Sequence, residues 1–231
     1  MTRVQTIQKY YESRYGSGDL GMSSRTPKSF KPFLDLLGVN SQSNLLDVGC
    51  GSGALLEYMG KADSISGIDL SENAIRIARL NQPEANYCVG DMQNLPYRSS
   101  SFDKLTNIGV LEHVPEMKKA LKEMKRVCSD IGKLCIVVPN KDFLLYRLLI
   151  LKGTEQAQME EQLLSLLEWK ELIQTSGLKI IVIDSDPGPE LRTDLGCGYF
   201  LRGLVRSLIL LLTKFFPLEY TYQFVFICTK S

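Results

Sequence analysis

The sequence of 231 residues is poor in the side chains that carry metal and redox chemistry. His113 is the only histidine, and none of the six cysteines belongs to a Cys-x-x-Cys pair. The cysteines are Cys50, Cys88, Cys128, Cys135, Cys197 and Cys228. Several of them lie in apolar runs, where a thiol behaves as a small core residue. This pattern predicts no metal site and indicates a reducing compartment.

The chain also lacks an excess of charge of either sign. Lys and Arg number 27 against 26 Asp and Glu, so no global positive field exists to attract nucleic acid. The first residues lead into a polar helical pattern without the apolar core of a signal peptide. We therefore expect no nucleic-acid partner, a cytoplasmic location, and a small molecule or a local protein as partner.

What the chain does contain is a regular alternation of apolar strands and helical patterns. The strands are expected at about 44–48, 87–89, 102–106, 134–138, 180–183 and 222–228, with a further strand that ends at Gly67-Ile68-Asp69. Between them, helices are expected from about residue 53, after Ser71 as N-cap, and from Pro115 as first residue, the last of these with Cys128 on its apolar face. Gly38 is expected to be the C-terminal cap of a helix in the N-terminal region. Such alternation predicts an α/β fold: a doubly wound, Rossmann-like sheet of seven strands with helices on both faces.

The length favours one domain with insertions over two full domains. We expect a single domain over 1–231, with an N-terminal helical cap at 1–40, a core at 41–140, and insertions at 141–164 and 186–217. Residues 201–216 are strongly apolar but shorter than the roughly 18 to 20 residues that cross a bilayer. They predict a buried cap helix, the wall of an apolar pocket, or a face that rests on a membrane.

A glycine loop and three carboxylates mark the predicted ligand site. Gly49, Gly51 and Gly53 alternate directly after the first strand, and Asp47 precedes them. Asp69 ends the second strand and Asp91 follows the third. Because the carboxyl ends of parallel strands meet at one edge, these carboxylates should face one crevice. Asp69 lies twenty residues after Gly49, a separation typical of a carboxylate that binds ribose hydroxyls.

The glycine spacing alone leaves two ligand classes open. Gly49-x-Gly51-x-x-Ala54 also fits the relaxed fingerprint of dinucleotide-binding proteins, so an NAD(P)-dependent oxidoreductase is an alternative. Asp47 and Asp91 distinguish the two ligand classes. Carboxylates beside the loop disfavour the pyrophosphate of a dinucleotide and favour the second class, a ligand with ammonium and sulfonium groups.

The run Asp47-Val48-Gly49-Cys50-Gly51-Ser52-Gly53 resembles the first motif of the class I S-adenosylmethionine-dependent methyltransferases. Three later segments are similar to that family's later motifs, in the same order: 67–71, 90–103 and 111–115. The resemblance spans about 44–140, and within the family it is nearest to small-molecule O-methyltransferases such as the quinone-pathway enzymes. It implies a seven-stranded sheet whose last strand is antiparallel, with S-adenosylmethionine as cofactor.

The resemblance also implies a role for each matching residue. Asp47 would organise the glycine loop, Asp69 would hold the ribose, and Asp91 would receive the adenine amino group. The residues expected along the methionine part are Gly49, Cys50, Gly51, Gly53, Asn107 and Ile108, and those expected on either side of the adenine are Leu70 and Met92.

The sequence defines the residues on the acceptor side of the site less clearly than those that bind the cofactor. His113 is expected just past the fourth strand, as a general base or as a residue that orients the loop; Glu112 carries the same two interpretations. Tyr10, Tyr11 and Tyr15 either form a lid over the cofactor or pack the first helix. The apolar insertions favour a small hydrophobic or aromatic acceptor, and the resemblance to O-methyltransferases implies methylation at oxygen. The other alternative is a catalytically silent protein that only binds S-adenosylmethionine.

Overall fold

A computed structural model of the chain describes residues 2–17, 25–59, 64–143, 161–186 and 217–231. The insertions predicted at 141–164 and 186–217 fall largely outside these ranges, as does the apolar segment 201–216. Their predicted roles therefore stay predictions. Within the described ranges, no helix combines the length and the apolar character needed to cross a bilayer.

Seven strands form one sheet in the order β3-β2-β1-β4-β5-β7-β6. The strands are β1 Leu45–Val48, β2 Ile65–Asp69, β3 Asn86–Val89, β4 Phe102–Ile108, β5 Cys128–Pro139, β6 Leu178–Asp186 and β7 Gln223–Lys230. β7 runs antiparallel to both of its neighbours, and the other pairs are parallel. The α/β class, the seven strands and the antiparallel last strand are confirmed.

Six α-helices flank the sheet in the described ranges: α1 Arg3–Gly16, α2 Lys31–Leu37, α3 Ala54–Met59, α4 Glu72–Asn81, α5 Met117–Val127 and α6 Leu166–Thr175. The predicted caps of two of them are confirmed. The Ser71 hydroxyl accepts a hydrogen bond from the N–H of Ala74 at the start of α4, and Gly38 ends α2 with a left-handed φ of 70°.

One helix start and one helix end were predicted wrongly. α5 begins at Met117 and not at Pro115, because Glu116 is the N-cap and the preceding turn is a short 3₁₀ helix at Leu111–His113. Cys128, expected on the same helix, is already the first residue of β5. Both differences lie at element ends, where competing turns decide the boundary.

The apolar core lies on both faces of the sheet. Leu46 belongs to the cluster that packs under α5 and α6, while its neighbour Leu45 belongs to the cluster under α2 and α3. Successive side chains of a strand point to opposite faces, so the uninterrupted apolar strands require cover on both sides. The single tryptophan, Trp169, is fully buried, and its indole N–H donates to the carbonyl oxygen of Pro139 over 3.0 Å.

Candidate functional site

One cavity of about 230 Å³ follows the carboxyl edge of the sheet. It is several times larger than one water molecule, which occupies about 30 Å³, so it can accept an organic ligand. The strand order spreads its lining residues along the edge. Asp91, Asp69 and Asp47 line the half formed by β3, β2 and β1, whereas Glu112 and Gln223 line the half formed by β4, β5 and β7.

Most of the predicted site residues line this cavity. They are Asp47, Gly49, Cys50, Gly51, Asp69, Leu70, Asp91, Met92, Ile108 and His113. The two exceptions are Gly53 and Asn107, which are absent from the lining. A side chain at Gly53 would meet Ala78, and the Asn107 amide donates to the carbonyl oxygen of Val48 over 2.8 Å. Gly53 and Asn107 therefore have no direct access to a cofactor in this cavity.

Asp69 joins the glycine loop to the start of α4. Its Oδ2 atom accepts a hydrogen bond from the N–H of Gly51, and its Oδ1 atom accepts one from the N–H of Ser71, each over 2.9 Å. Burial raises the pKa of Asp69 in spite of these hydrogen bonds. Each oxygen keeps a second lone pair, so the carboxylate can still accept hydrogen bonds from a ligand.

Asp47 connects β1 to β4 beneath the loop. Thr106 lies directly opposite it in the register of the two strands, and the Thr106 hydroxyl donates to Oδ1 of Asp47 over 2.7 Å. The side chain is buried, and this burial raises the pKa of Asp47 to about 7. The loop thus rests on a carboxyl group that is about half ionised near pH 7.

Asp91 is held by a neighbour two residues away. The backbone N–H of Gln93 donates to Oδ1 of Asp91 over 2.9 Å, and the Gln93 side-chain amide reaches both carboxylate oxygens. The Gln93 side chain also accepts from the N–H of Glu116. The turn after β3 is therefore fixed to the start of α5.

Backbone N–H groups of the glycine loop donate hydrogen bonds to other groups of the protein. The N–H groups of Gly49 and Cys50 both donate to the carbonyl oxygen of Ile68, over 2.8 and 3.1 Å. The N–H of Gly51 donates to Asp69, and that of Gly53 donates to the carbonyl oxygen of Cys50. A pyrophosphate would need free amides here, as in other phosphate-binding loops. These bonds disfavour the dinucleotide alternative.

Glycine is required in the loop for protein packing as well as for ligand approach. Gly51 has a φ of 52°, and a Cβ atom there would lie 2.6 Å from the hydroxyl of Tyr15. At Gly49, with a φ of 81°, a Cβ atom would lie 2.5 Å from Val110. Non-glycine residues rarely adopt such positive φ values. Both the backbone conformation and the close contacts of a Cβ atom therefore favour glycine at these two positions.

The first helix, α1, forms part of the cavity wall. Tyr11 and Tyr15 of α1 line it, and burial is the main cause that raises the pKa of each phenol. The helix is fixed by Gln8, whose side-chain amide donates to the carbonyl oxygen of Leu70, and by Glu12, whose carboxylate accepts from the N–H groups of Glu72 and Asn73. This position fits the predicted lid, although Tyr10 is not among the lining residues.

A cluster of titratable groups lies past the end of β4. The His113 Nε2 atom is 3.9 Å from Oε1 of Glu112 and 4.0 Å from Oε1 of Glu161, and the Tyr11 ring packs edge-on against the imidazole. Burial lowers the pKa of His113 to about 4. Burial, and then the charge of Glu161, raise the pKa of Glu112 to about 8. No three His, Cys, Asp or Glu side chains in the described ranges are arranged to hold a metal ion.

Sequence reasoning did not find several lining residues at the far end of the cavity: Arg25, Glu161, Tyr222 and Gln223. Arg25 forms an ion pair with Asp186 and donates to the side-chain oxygen of Gln223 over 2.7 Å. Gln223 pairs with Pro139 of β5 and with Asp186 of β6 in the sheet register. Because β7 is antiparallel, its first residue lies at the carboxyl edge of the others. Only that reversal could have indicated Gln223 from the sequence.

The fold and this motif set define a class. Residues 46–136 match the family described as "Methyltransferase domain". A ubiquinone biosynthesis O-methyltransferase of Coxiella burnetii (strain RSA 331) is 30% identical over 155 residues, which cover 61% of this chain and 65% of that protein. A demethylmenaquinone methyltransferase of Oceanobacillus iheyensis is 32% identical over 158 residues, with 63% and 66% covered. The chain thus spans about 65% of the length of these curated relatives.

Solved structures agree on the fold. A chain from the complex of the Haloferax volcanii Trm112 methyltransferase activator with a methyltransferase superimposes with a TM-score of 0.69 at 18% identity, covering 97% of both chains. A Thermotoga maritima S-adenosylmethionine-dependent methyltransferase gives a TM-score of 0.68 at 19% identity, covering 96% of this chain and 98% of that one. Residues 46–136 thus match a methyltransferase domain, and the described fold is similar to that of S-adenosylmethionine-dependent methyltransferases, in agreement with the resemblance of the motifs.

Proposed function

We propose that this protein transfers a methyl group from S-adenosylmethionine to a hydroxyl oxygen of a small hydrophobic or aromatic acceptor. The observation that carries this proposal is the convergence of Asp47, Asp69 and Asp91 on one cavity beside the glycine loop. Arg25 is the only Lys or Arg among the described lining residues, and it is paired with Asp186. An acidic cavity of this kind suits a ligand with ammonium and sulfonium charges.

In this proposal the chain's own residues bind and orient the cofactor. Asp69 accepts hydrogen bonds from the ribose hydroxyls, Asp91 faces the adenine amino group, and Leu70 and Met92 provide apolar contacts to the adenine. Gly49, Cys50, Gly51 and Ile108 lie along the methionine part. The bound cofactor supplies a methyl group already activated by its sulfonium, so the protein's main task is alignment and the exclusion of water.

Tyr11 and Tyr15 contribute to the exclusion of water in this proposal. Both phenol rings line the cavity; the hydroxyl of Tyr15 lies close to Gly51, and the ring of Tyr11 packs against His113. Closing the cavity keeps the positively charged ligand in a site of low dielectric, where the carboxylates act more strongly than in water.

The acceptor is proposed to occupy the half of the cavity formed by β4, β5 and β7. Aromatic and apolar side chains line it at Tyr11, Val110, Pro139 and Tyr222, which supports a flat apolar acceptor. Glu112 and His113 supply polar atoms in the same half. One curated relative is named a ubiquinone biosynthesis O-methyltransferase and the other a demethylmenaquinone methyltransferase, so a quinone precursor is the first acceptor class to test.

Isothermal titration calorimetry against S-adenosylmethionine, NADH and NADPH tests the cofactor, with transfer of a tritiated methyl group to a panel of phenols and quinone precursors as the activity assay. We expect binding of S-adenosylmethionine alone and labelling of at least one phenol. Binding of a dinucleotide without binding of S-adenosylmethionine would refute the proposal. Binding without any transfer would identify a silent binding protein.

A further inference from the structure

Two polar atoms in the acceptor half of the cavity have no hydrogen-bond partner among the described residues. They are Oε2 of Glu112 and Nδ1 of His113, and both residues line the cavity. Their exposed fractions are only 4% each. A buried polar atom without a partner costs free energy, so such atoms are usually complemented by a ligand or by water.

The backbone on both sides holds Glu112 in this place. The Glu112 carbonyl oxygen accepts from the N–H of Gln162, and the Gln162 side-chain amide donates to the carbonyl oxygen of Val114 over 2.7 Å. Glu112 and His113 are consecutive residues of the 3₁₀ turn at Leu111–His113, and both line the cavity. The carboxylate is therefore positioned by the fold before any acceptor binds.

We propose that the Glu112 carboxylate accepts the proton of the acceptor hydroxyl during methyl transfer, with His113 and Glu161 positioning it. The proposal rests on the proposed function. In the step, the acceptor oxygen forms a bond to the methyl carbon while the carbon–sulfur bond breaks and its electron pair stays on sulfur as a thioether. The hydroxyl proton passes to Oε2 of Glu112, so charge and atoms balance.

The surroundings of Glu112 explain why it suits this role better than the single histidine. Among the described residues, the titratable groups that face it are His113 on the same turn, Tyr11 on α1, and Glu161. A pKa of about 8 lies close to that of a phenol, about 10, and proton transfer is efficient when the two are similar. The pKa of His113, about 4, makes its imidazole a weak base.

Three variants distinguish the two candidate bases: Glu112→Gln, which keeps the shape and removes the basicity, His113→Asn, and Glu171→Gln as an exposed control on α6. The probes are catechol and phenol as hydroxyl acceptors and aniline as an amine, with tritiated S-adenosylmethionine at pH 5 to 9. For wild type we expect labelling of a hydroxyl probe and a rate that rises with pH to a plateau near or below about 8. Glu112→Gln should lower the rate about 100-fold or more and remove the rise.

The affinity for S-adenosylmethionine, measured by calorimetry, should stay within about twofold in Glu112→Gln, because the residue lies in the acceptor half. If the rate no longer rises with pH in His113→Asn but still rises in Glu112→Gln, the base is His113 and the proposal is overturned. Labelling of aniline alone, or of no probe by protein that binds the cofactor, would overturn the hydroxyl acceptor. Failure of wild type to bind S-adenosylmethionine would instead overturn the proposed function.

A direct titration tests Glu112 without any acceptor. The infrared difference between wild type and Glu112→Gln should contain a protonated-carboxyl band that disappears with a midpoint near pH 8. Glu171→Gln should give no such band. A midpoint in the range of an exposed glutamate, about 4.3, would contradict the environment on which the proposal depends.

Discussion

The carboxylate of Asp69 accepts a hydrogen bond from the backbone N–H of Gly51 over 2.9 Å, eighteen residues earlier in the chain. Through this bond, the motif that ends β2 fixes the shape of the glycine loop that follows β1. The same carboxylate accepts from the N–H of Ser71, the N-cap of α4. One side chain therefore organises both strand ends at the predicted cofactor site.

Asp69→Ala should weaken S-adenosylmethionine at least tenfold. It removes charge-assisted hydrogen bonds that contribute about 1.5 to 3 kcal/mol and frees two backbone amides of the site. Calorimetry measures the affinity, and thermal unfolding checks that the protein remains folded. Asp130→Ala is the matched control, since Asp130 is 89% exposed on β5 and absent from the cavity lining. Unchanged affinity in Asp69→Ala would remove Asp69 from the site.

Gly51→Ala should destabilise the protein more than Gly38→Ala. Both glycines have positive φ, 52° and 70°, so both substitutions incur the left-handed backbone cost of about 1 to 2 kcal/mol. Only at Gly51 does the new Cβ atom also meet a neighbour, the Tyr15 hydroxyl, whereas nothing lies within 4 Å at Gly38. Urea unfolding measures the difference, and it should shrink in a Tyr15→Phe background. Equal losses of stability at both glycines would mean that α1, which carries Tyr15, moves away from the new Cβ atom at no cost in free energy.

Asp47→Asn should change how stability depends on pH. Folding raises the pKa of Asp47 from about 3.9 to about 7, so the folded protein binds more protons than the unfolded chain in that interval. The contribution of Asp47 to stability is thus present below about pH 4 and is lost as the pH rises through 7. Asparagine still offers an oxygen to Thr106 but never ionises. The variant should therefore gain at least about 1 kcal/mol relative to wild type between pH 5 and 8, measured by urea unfolding.

A pH-independent difference between Asp47→Asn and wild type would show that Asp47 ionises normally in the folded protein. Bound S-adenosylmethionine should reduce the gain, because a positively charged ligand favours the ionised carboxylate. The same unfolding curves with saturating ligand measure this reduction.

Glu12→Ala should loosen α1 and speed the release of S-adenosylmethionine severalfold. The Glu12 carboxylate accepts hydrogen bonds from the first N–H groups of α4, and loss of such a cap costs about 0.5 to 2 kcal/mol. Amide hydrogen exchange over Arg3–Gly16 and stopped-flow displacement of the ligand measure the two effects. Glu57→Ala on the exposed face of α3 is the control. An unchanged release rate with faster exchange in α1 would exclude a lid function for this helix.

The sequence alone predicted the strands, their alternation with helices and the position of the loop. These features depend on short-range patterns: apolar runs mark buried strands, and glycine and serine mark turns and caps. The predicted carboxylates Asp47, Asp69 and Asp91 line one cavity because parallel strands bring their carboxyl ends to one edge. Where the local signal was ambiguous, as at Pro115, the predicted boundary was wrong by two residues.

Tertiary structure decided which groups meet across the sheet and in which protonation state. Gln223 reaches the cavity because β7 is antiparallel, and Asn107 turns toward Val48 instead of the cavity. The contrast between Glu112 and His113 arises from burial and from Glu161, almost fifty residues away in the chain. Desolvation and charge proximity are properties of three-dimensional neighbours, so a linear pattern can name the residues of this site but cannot assign their chemistry.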